Sequence, residues 1–160
     1  MNKEEIRKKF TERTFVMLKP DAVERHLIGE IIQRFERAGL EIIAIKMVRP
    51  NAEILAQHYA EIKEKHGEHV FNALVDWIRE KRVVVMVLEG INAVRAVRKL
   101  LGESWDPMKC SPGTIRGDYT TVDVKYADAM NEPIMNLVHA SDSIETATRE
   151  IRLWFPELQI

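Results

Sequence analysis

The stretch Asn136-Leu137-Val138-His139-Ala140-Ser141-Asp142-Ser143 contains the end of one predicted element, the start of another and a histidine between them. The two apolar residues before the histidine predict the end of a buried strand. Asp142 is followed three residues later by Glu145, a capping-box pattern that predicts the start of a helix. His139 is therefore expected at a strand-to-helix junction, close to amide N–H groups and the positive end of a helix dipole, where a phosphate would be stabilised.

Glu150 lies seven residues beyond Ser143, so the two residues face the same side of the predicted helix. A carboxylate in that position can hydrogen-bond the imidazole of His139 and fix its tautomer and orientation. The pattern favours a nucleophilic histidine that accepts a phosphoryl group. The alternative is a hydrogen-bonded structural histidine beside an apolar run, which is the commoner case when no other residues are considered.

The composition indicates one globular domain without a strong overall charge. The chain has 160 residues, of which 46% are hydrophobic and 31% are charged, and its formal net charge is −1. This length suffices for a single domain with its own core, so we expect one domain over residues 1–160, with residues 1–12 as a loose or helical extension. The net charge favours neither nucleic acid nor anionic lipid, so any recognition of phosphate must be local.

Three further features of the sequence bear on location. Cys110 is the only cysteine, so no disulfide can form within the chain. No apolar run approaches the roughly 20 residues that span a membrane. The segment from Met1 to Phe10 is charged and lacks the apolar centre of a secretion signal. We therefore expect a cytoplasmic protein that does not contact a membrane.

The order of apolar patterns predicts a ferredoxin-like fold. Apolar runs predict four strands at residues 14–18, 40–48, 83–88 and 134–139. Helical spacing is found at residues 28–38, in two segments between 51 and 78, at 92–101 and at 143–155. The order contains a β-α-β-β-α-β core, so the expected class is α/β (α+β), a four-stranded antiparallel sheet with surrounding helices. The ferredoxin-like pattern places helices on one face of that sheet, and it reveals little about function.

Three cationic residues are candidates for binding phosphate. Lys19 follows the first strand, where a lysine can extend into a cleft as a point charge, although a solvated surface lysine is the alternative. Arg98 falls on the apolar side of its predicted helix, so its guanidinium must extend to the edge of the apolar surface or meet an anion. Arg116 lies in the turn Ser111–Asp118, stiffened by Pro112, and could hold phosphate bidentately unless this is an ordinary surface turn.

Other classes of site are excluded or weakly supported. The chain has neither a Gly-x-x-x-x-Gly-Lys-Ser/Thr loop nor the signatures of a protein kinase. His66-x-x-His69 is at most a weak candidate for a metal site. Tyr59, Phe71 and Leu74 lie in the two-helix segment and could contact a nucleobase. For Phe71 and Leu74, packing in the core is the alternative.

Three separated motifs resemble those of one enzyme family. They are Thr14-Phe15-Val16-Met17-Leu18-Lys19-Pro20-Asp21, Ser111-Pro112-Gly113-Thr114-Ile115-Arg116-Gly117-Asp118 and the opening stretch around His139. Together, and in this order, they strongly resemble the nucleoside diphosphate kinase family, and the similarity runs from about Arg13 to Phe155. The resemblance implies transfer of the γ-phosphate of a nucleoside triphosphate to a nucleoside diphosphate, by a ping-pong mechanism with little base selectivity.

The resemblance also implies roles for the residues around the transferred phosphate. His139 matches the histidine that takes the phosphate from a Mg²⁺-bound nucleoside triphosphate and becomes a phosphohistidine. Glu150 and Ser141 match the residues that hydrogen-bond and position that histidine. Lys19 and Tyr59 match residues that lie near the transferred phosphate.

The remaining matches concern the rest of the nucleotide. Arg98, Ser104 and Arg116 match the family's phosphate-binding arginine, threonine and arginine. Asn136 matches the residue that, with the lysine, binds the sugar hydroxyls, and Leu74 matches an apolar residue against the base. Val70 stands where the family usually has a stacking aromatic, which weakens the expected base stack unless Phe71 shifts to replace it.

The largest departure from the family's pattern is an insertion. A segment of about ten extra residues lies between Asp118 and Asn136, and Val122 to Tyr126 alternates like a strand, which predicts a hairpin. We expect this insertion to cover a subunit contact or the sugar side of the nucleotide. Smaller departures are Ala22 and Ala140, which stand where the family usually has glycine.

The resemblance further implies a cofactor and an assembly. Mg²⁺ is expected as the cofactor, held mainly through the nucleotide phosphates and not by protein ligands. A homo-oligomer is expected, a tetramer or hexamer built from dimers. The main alternative is a catalytically silent nucleotide-binding or scaffold protein, which would be favoured by loss of His139, Lys19 or Glu150, and all three are present. Specific binding of nucleic acid is disfavoured by the net charge.

Overall fold

Four strands form one antiparallel sheet in the computed structural model, which describes residues 1–159. The strands are β1 (Thr11–Leu18), β2 (Glu41–Val48), β3 (Val83–Ile91) and β4 (Val138–Ala140). Their order in the sheet is β2-β3-β1-β4, and each neighbouring pair is antiparallel. The predicted fold class, a ferredoxin-like four-stranded antiparallel sheet with surrounding helices, is therefore confirmed.

The helices are more numerous than the sequence patterns predicted. They are α1 (Lys3–Phe10), α2 (Pro20–Glu24), α3 (Ile28–Arg37), α4 (Ala52–His58), α5 (Ala60–His66), α6 (Glu68–Ile78), α7 (Ala93–Leu101), α8 (Ile115–Tyr119), α9 (Val124–Met130) and α10 (Ile144–Trp154). A short 3₁₀ helix spans Pro107–Lys109. The predicted two-helix segment contains three helices, α4 to α6. None of the helices within residues 1–159 is both long and apolar enough to cross a membrane.

Both faces of the sheet are buried under helices. Val16 and Leu18 of β1 belong to a core formed with α3 and α7, whereas Phe15 and Met17 belong to a second core formed with α4, α6 and α10. The expectation of helices on one face alone was therefore wrong. Unbroken apolar runs, such as residues 15–18 of β1 and 83–88 of β3, need cover on both sides of the sheet.

The fourth strand is shorter than the apolar run predicted. β4 contains only Val138–Ala140, and the predicted strand residues before it are irregular. Leu137 has a φ of 71°, in the left-handed region, which interrupts the extended conformation. Its N–H donates to Oδ2 of Asp21 at 3.0 Å, and its carbonyl accepts from the N–H of Lys19 at 2.8 Å. The local backbone is thus shaped by contacts with the segment that follows β1.

Two local predictions from sequence were wrong. The predicted hairpin at residues 122–126 is the start of helix α9, because Asp123 caps it by accepting from the N–H of Tyr126 at 2.8 Å. The predicted cap of the last helix is displaced by one residue. Ser143, not Asp142, accepts the N–H of the third helical residue, Thr146, at 3.0 Å, and α10 begins at Ile144.

Candidate active site

One cavity of about 860 Å³ gathers most of the predicted site residues. It lies at the end of the sheet where β1 and β4 meet α2, and helices from both faces contribute to its walls. The predicted residues that line it are Lys19, Tyr59, Val70, Leu74, Arg98, Ser104, Arg116, Asn136, His139 and Glu150. The two that do not are Ser141 and Phe71, each of which is turned to other contacts.

His139 is held by the carboxylate of Glu150. The distance from Nε2 of His139 to Oε2 of Glu150 is 2.6 Å, and the imidazole side chain is 26% exposed while Glu150 is fully enclosed. Because a carboxylate accepts hydrogen bonds, this contact assigns the ring proton to Nε2 and leaves the lone pair of Nδ1 free. The strand β4 fixes the backbone of His139 by pairing it with Met17.

The surroundings keep His139 uncharged. Burial of the ring, followed by the positive charges of Lys19 and Arg116, lowers the pKa of His139 to about 3. Burial raises the pKa of Glu150 to about 7. An uncharged imidazole with its proton on Nε2 offers Nδ1 as a nucleophile near neutral pH.

Lys19 is a buried lysine that lines the cavity. Its Nζ donates to the carbonyl of Ile134 at 3.5 Å, and the residue is only 5% exposed. Burial lowers the pKa of Lys19 to about 8, with Asp21 opposing the shift and Arg116 adding to it. Lys19 therefore supplies a positive charge that is weakly hydrated and free of any carboxylate hydrogen bond among residues 1–159.

Arg116 does not lie on an exposed loop, as the sequence suggested, but in the first turn of the short helix α8. Thr114 caps this helix by accepting from Gly117 N–H at 3.1 Å, and a Cβ at position 117 would collide with the carbonyl oxygen of Ser111. The chain turns sharply between Ser111 and Gly117, and this turn requires glycine at position 117. The turn directs the guanidinium of Arg116 into the interior, where the residue is only 4% exposed.

The guanidinium of Arg116 joins three backbone segments. Nε donates to the carbonyl of Asn136 at 3.2 Å, Nη1 to that of Ser104 at 3.0 Å and Nη2 to that of Val138 at 2.6 Å. Burial, followed by the charge of Arg98, lowers the pKa of Arg116 to about 10, so the guanidinium remains charged at neutral pH. This side chain thus combines positive charge with a structural role that the sequence did not indicate.

Arg98, Ser104 and Asn136 are the other predicted phosphate- and sugar-binding residues at the cavity. Arg98 is exposed and extends to the cavity, where Nη1 is 3.4 Å from the carbonyl of Ala140. The hydroxyl of Ser104 accepts from the N–H of Asp106 at 3.1 Å. The side-chain amide of Asn136 donates to the carbonyl of Trp105 at 2.7 Å. Arg98 therefore extends to the edge of the apolar surface, and this edge is part of the cavity wall.

Tyr59 is buried beside the two histidines. Its ring lies 4.5 Å from that of His58 and 5.9 Å from that of His139, in edge-to-face arrangements. Its hydroxyl makes no hydrogen bond to any residue of the described chain. Burial raises the pKa of Tyr59 far above its usual value, so the hydroxyl keeps its proton and can donate to an anion.

The outer part of the cavity is apolar on one side. Val70 is 46% exposed and lines it together with Leu74, on α6. Phe71 points instead to the core under the sheet, and the ammonium of Lys63 lies 5.7 Å from its ring centroid. The idea that Phe71 replaces the missing aromatic therefore has no support from its position.

Ser141 is separated from the histidine that it was expected to position. It is fully buried, accepts from the N–H of Phe15 at 3.3 Å and donates to the carbonyl of the same residue at 3.5 Å. Its hydroxyl therefore ties the chain after β4 to β1. An influence of Ser141 on His139 would act through the backbone and not by a direct hydrogen bond.

Several cavity residues were not singled out by the sequence analysis. His58 is fully enclosed against the ring of His139, and its only sequence signal was a position on the apolar side of α4, three residues after Leu55. Trp105 also lines the cavity and is 56% exposed. His66 and His69, which the sequence offered only as a weak metal site, line it as well. The insertion contributes Ala127, and further residues of α9 and the segment after it, so one side of this helix faces the cavity.

The side chains do not form a cage suited to Mg²⁺. Within residues 1–159, the one cluster of three potential ligands consists of His58, His139 and Glu150, which offers two nitrogens and a single carboxylate. Mg²⁺ prefers six oxygen ligands in octahedral geometry. The donor set therefore does not fit a resident magnesium ion.

Comparison with known proteins agrees with this geometry. A model of the family described as nucleoside diphosphate kinase matches residues 12–160. The nucleoside diphosphate kinase of Pyrococcus horikoshii is 52% identical over 145 residues, which cover 91% of this chain and 85% of the relative. That of Methanocaldococcus jannaschii is 46% identical over 149 residues, covering 93% and 96% of the two chains.

Solved structures give the same result. The nucleoside diphosphate kinase of Borrelia burgdorferi, described as a transition-state mimic with vanadate and ADP, has a TM-score of 0.88 at 38% identity, covering 92% of this chain and 88% of its own. A halophilic enzyme from Halobacterium salinarum, in complex with CDP, has a TM-score of 0.76 at 42% identity, covering 90% and 87%. This chain therefore belongs to the nucleoside diphosphate kinase family.

Proposed function

We propose that this protein transfers the γ-phosphate of a nucleoside triphosphate to a nucleoside diphosphate, with His139 as the group that carries the phosphate between the two. The observation that carries the proposal is the 2.6 Å contact between Nε2 of His139 and Glu150, which leaves Nδ1 as the free nitrogen in a cavity lined by Lys19, Arg98 and Arg116.

The first half-reaction forms one bond and breaks one. The lone pair of Nδ1 attacks the γ-phosphorus, an N–P bond forms, and the bond between that phosphorus and its bridging oxygen breaks. The nucleoside diphosphate leaves with the electron pair of the broken bond. In the second half-reaction, a terminal phosphate oxygen of another nucleoside diphosphate attacks the phosphorus, and the N–P electrons return to His139.

The cations stabilise the charge of the transferred group. Phosphoryl transfer depends mainly on positioning and on neutralising negative charge. Lys19 and Arg116 are held in fixed positions by the fold, whereas Arg98 is exposed and able to adjust to a bound phosphate. The hydroxyl of Tyr59 supplies a further donor. Mg²⁺ enters as part of the triphosphate substrate, coordinated by its phosphates.

The outer cavity predicts little preference among bases. Val70 and Leu74 offer apolar contact to the face of a base, and every base has such a face. Ser104 and Asn136 also line the cavity, where a hydroxyl and an amide can contact phosphate and sugar. Such contacts recognise the parts that all nucleotides share, as a general exchanger of phosphate requires.

We also infer that the protein forms a homo-oligomer built from dimers, a tetramer or a hexamer. Support comes from β2, which lies at the edge of the sheet and exposes Ile45 and Met47 at 47% and 51%. An unprotected edge strand with exposed apolar residues is suited to pairing with another chain. Light scattering coupled to gel filtration would give the mass, and Ile45→Lys should reduce it; a wild-type monomer would contradict the inference.

The test of the activity is direct labelling of the protein. Wild-type protein mixed with Mg²⁺ and γ-labelled ATP should acquire one acid-labile, base-stable phosphate per chain, and addition of a nucleoside diphosphate should remove it. His139→Ala should acquire no label. His26→Asn is a matched control, because His26 lies outside the cavity and asparagine tolerates its φ of 57°. Labelling of His139→Ala at the wild-type rate would refute the proposal.

A further inference from the structure

His58 is a buried histidine whose protonation state is set by a tryptophan. Its side chain is fully enclosed, and the indole Nε1 of Trp154 lies 3.1 Å from its Nδ1. An indole nitrogen can only donate, so Nδ1 of His58 must be the acceptor. The proton of the uncharged ring is therefore on Nε2, which makes no hydrogen bond within residues 1–159.

The same carboxylate oxygen of Glu150 is close to both histidines. Oε2 lies 2.6 Å from Nε2 of His139 and 3.6 Å from Nδ1 of His58. The two imidazole rings are 4.4 Å apart between centroids, with planes at 75°. With a proton on its Nδ1, His58 would need a shift of only a few tenths of an ångström to compete with His139 for this oxygen.

We propose that Trp154 is a positioning residue that reserves Glu150 for His139, because its indole N–H prevents His58 from donating to the same carboxylate. The indole N–H occupies Nδ1 of His58 and keeps a proton off that nitrogen. Glu150 is then left with a single imidazole donor, Nε2 of His139, so the lone pair of His139 remains on Nδ1 and faces the phosphate. This inference rests on the proposed function, since it assigns the partner of the nucleophile.

Burial of His58 stabilises its uncharged form, with the proton on Nε2. The ring of His58 is packed between Phe15, Tyr59 and Trp154, with centroid distances of 5.5, 4.5 and 5.7 Å. Burial, followed by repulsion from His139, lowers the pKa of His58 well below its usual value. A second proton would have to enter on Nδ1, the nitrogen that the indole already occupies.

Without the indole donor, nothing favours the Nε2–H tautomer of His58 over the Nδ1–H tautomer. Neutral His58 could then place its proton on Nδ1 and donate it to Oε2 of Glu150. His139 would share the carboxylate or lose it, and its ring could adopt the tautomer with the proton on Nδ1. That tautomer presents no lone pair to the γ-phosphorus, so transfer would slow without a change in nucleotide binding.

The first test concerns the wild-type protein and does not depend on activity. Nitrogen-15 NMR of protein labelled at histidine, recorded near pH 7.5, distinguishes the two neutral tautomers of each ring. We expect the Nε2–H tautomer for both His58 and His139. An Nδ1–H tautomer at His58 would overturn the inference, even if His139 is phosphorylated as proposed.

The second test is a pair of variants. Trp154→Phe keeps an aromatic ring but removes the donor, and we expect phosphorylation of His139 in a single turnover to slow by about tenfold, with unchanged nucleotide Kd. Adding His58→Phe removes the competitor and should restore most of the rate. Tyr59→Phe, compared in the same assay, should not be rescued by His58→Phe.

Comparing Trp154→Phe with the double variant distinguishes a positioning role of Trp154 from a packing role. If Trp154 acted only as a packing residue, the double variant would be slower than Trp154→Phe alone, because two buried side chains would be altered. That result, or a Trp154→Phe variant as fast as wild type, would overturn the inference. If Trp154→Phe fails to fold, the tautomer of His58 in the wild-type protein still tests the inference. Failure of wild-type labelling would instead refute the proposed function.

Discussion

Nε2 of His139 and Oε2 of Glu150 lie 2.6 Å apart, although one residue is on the edge strand β4 and the other is on the following helix α10. The contact spans 11 residues of sequence. Ser143 sets its geometry by capping α10 one residue before the helix begins, so Glu150 is presented two turns later on the side facing β4. The orientation of the His139 ring is thus fixed by a helix cap and by strand pairing with β1.

Glu150→Gln should slow phosphorylation of His139 by about 10- to 100-fold, because a hydrogen bond to a charged group contributes about 1.5–3 kcal/mol. Glutamine retains the size of the side chain but not its charge, and it can present its amide instead of its oxygen to the ring. Single-turnover labelling measures the rate. Glu53→Gln, on the exposed surface of α4, is the control. An unchanged rate in Glu150→Gln would show that the carboxylate charge is not needed.

The pKa of Lys19, lowered to about 8 by burial, predicts a decline in kcat/KM above about pH 8. In the free enzyme, the rise in pH removes the positive charge that attracts phosphate. Lys19→Arg should move this decline beyond pH 10, at some cost in maximal rate, since arginine stays charged. The proposal would be contradicted if both proteins lost activity at the same pH.

The lowered pKa of Lys19 predicts that stability increases over the same pH range in which kcat/KM declines. Between about pH 8 and the ordinary lysine value of 10.5, the unfolded chain binds a proton at Lys19 that the folded chain has lost. The contribution of Lys19 to the free energy of unfolding therefore increases with pH over this interval. Urea denaturation at several pH values, compared between the wild type and Lys19→Met, would isolate this contribution. A difference that is independent of pH would count against the lowered pKa.

Arg116→Ala should destabilise the protein as well as reduce transfer. Its guanidinium donates to the carbonyls of Ser104, Asn136 and Val138, and each buried acceptor left unpaired costs about 1–3 kcal/mol. We expect a loss of about 3 kcal/mol or more in urea denaturation. Arg98→Ala is the matched comparison, because Arg98 is exposed and makes one long contact of 3.4 Å. It should weaken nucleotide binding with little loss of stability; equal destabilisation would contradict this distinction.

Val70→Phe should strengthen nucleotide binding. Val70 is exposed in the outer cavity, where a ring could stack on a base, and stacking contributes about 1–3 kcal/mol per base. Calorimetry should show a Kd about 5- to 100-fold lower for purine and pyrimidine nucleotides alike. Phe71→Leu, which alters a ring packed on the core, should leave the Kd unchanged. Equal binding by Val70→Phe would show that the base lies elsewhere.

Deletion of Asp123–Asn131 should raise the nucleotide Kd. Ala127 and neighbouring residues line the cavity, and the chain just beyond them supplies the Ile134 carbonyl that accepts from Lys19. The deletion therefore removes part of the wall and loosens an interior charge. Met130→Ala, on the exposed side of α9, is the control. If the deletion left both nucleotide affinity and the assembled mass unchanged, the insertion would serve neither of the roles expected of it.

The sheet and its main helices were predictable because their signals are local. Apolar runs located all four strands, and the helical spacing around Phe35 and Val97 located the two helices of the ferredoxin-like core. The motif around Lys19 could be placed at a strand end for the same reason. His139 was expected at the junction between a strand and a helix, but it is the central residue of β4, and α10 begins only at Ile144. The antiparallel pairing of β1 with β4 explains why Lys19 and His139 lie at the same cavity. The other predicted lining residues came from the resemblance to the family and not from local patterns.

The errors occurred where distant residues determine the backbone or where one residue has two possible roles. Asp123 fits the polar position of an alternating strand, but an aspartate can also cap a helix. In the structure Asp123 is the N-cap of α9. Leu137 adopts a positive φ because Asp21 and Lys19 hold its backbone, which no local pattern records. The inward direction of Arg116 depends on a crowded turn at Gly117. The partner of Ser141, Phe15, lies 126 residues away.

Lys19, Tyr59, Arg98, Arg116 and His139 are attached to five different parts of the chain, and both cores of the sheet are needed to hold them around one cavity. No fragment of the sequence retains more than a portion of this set. Enzymatic turnover should therefore require the whole domain to be folded. During gradual heating, the disappearance of turnover ought to coincide with the melting of the sheet, and a chain cut between α6 and β3 should be inert until its halves reassociate.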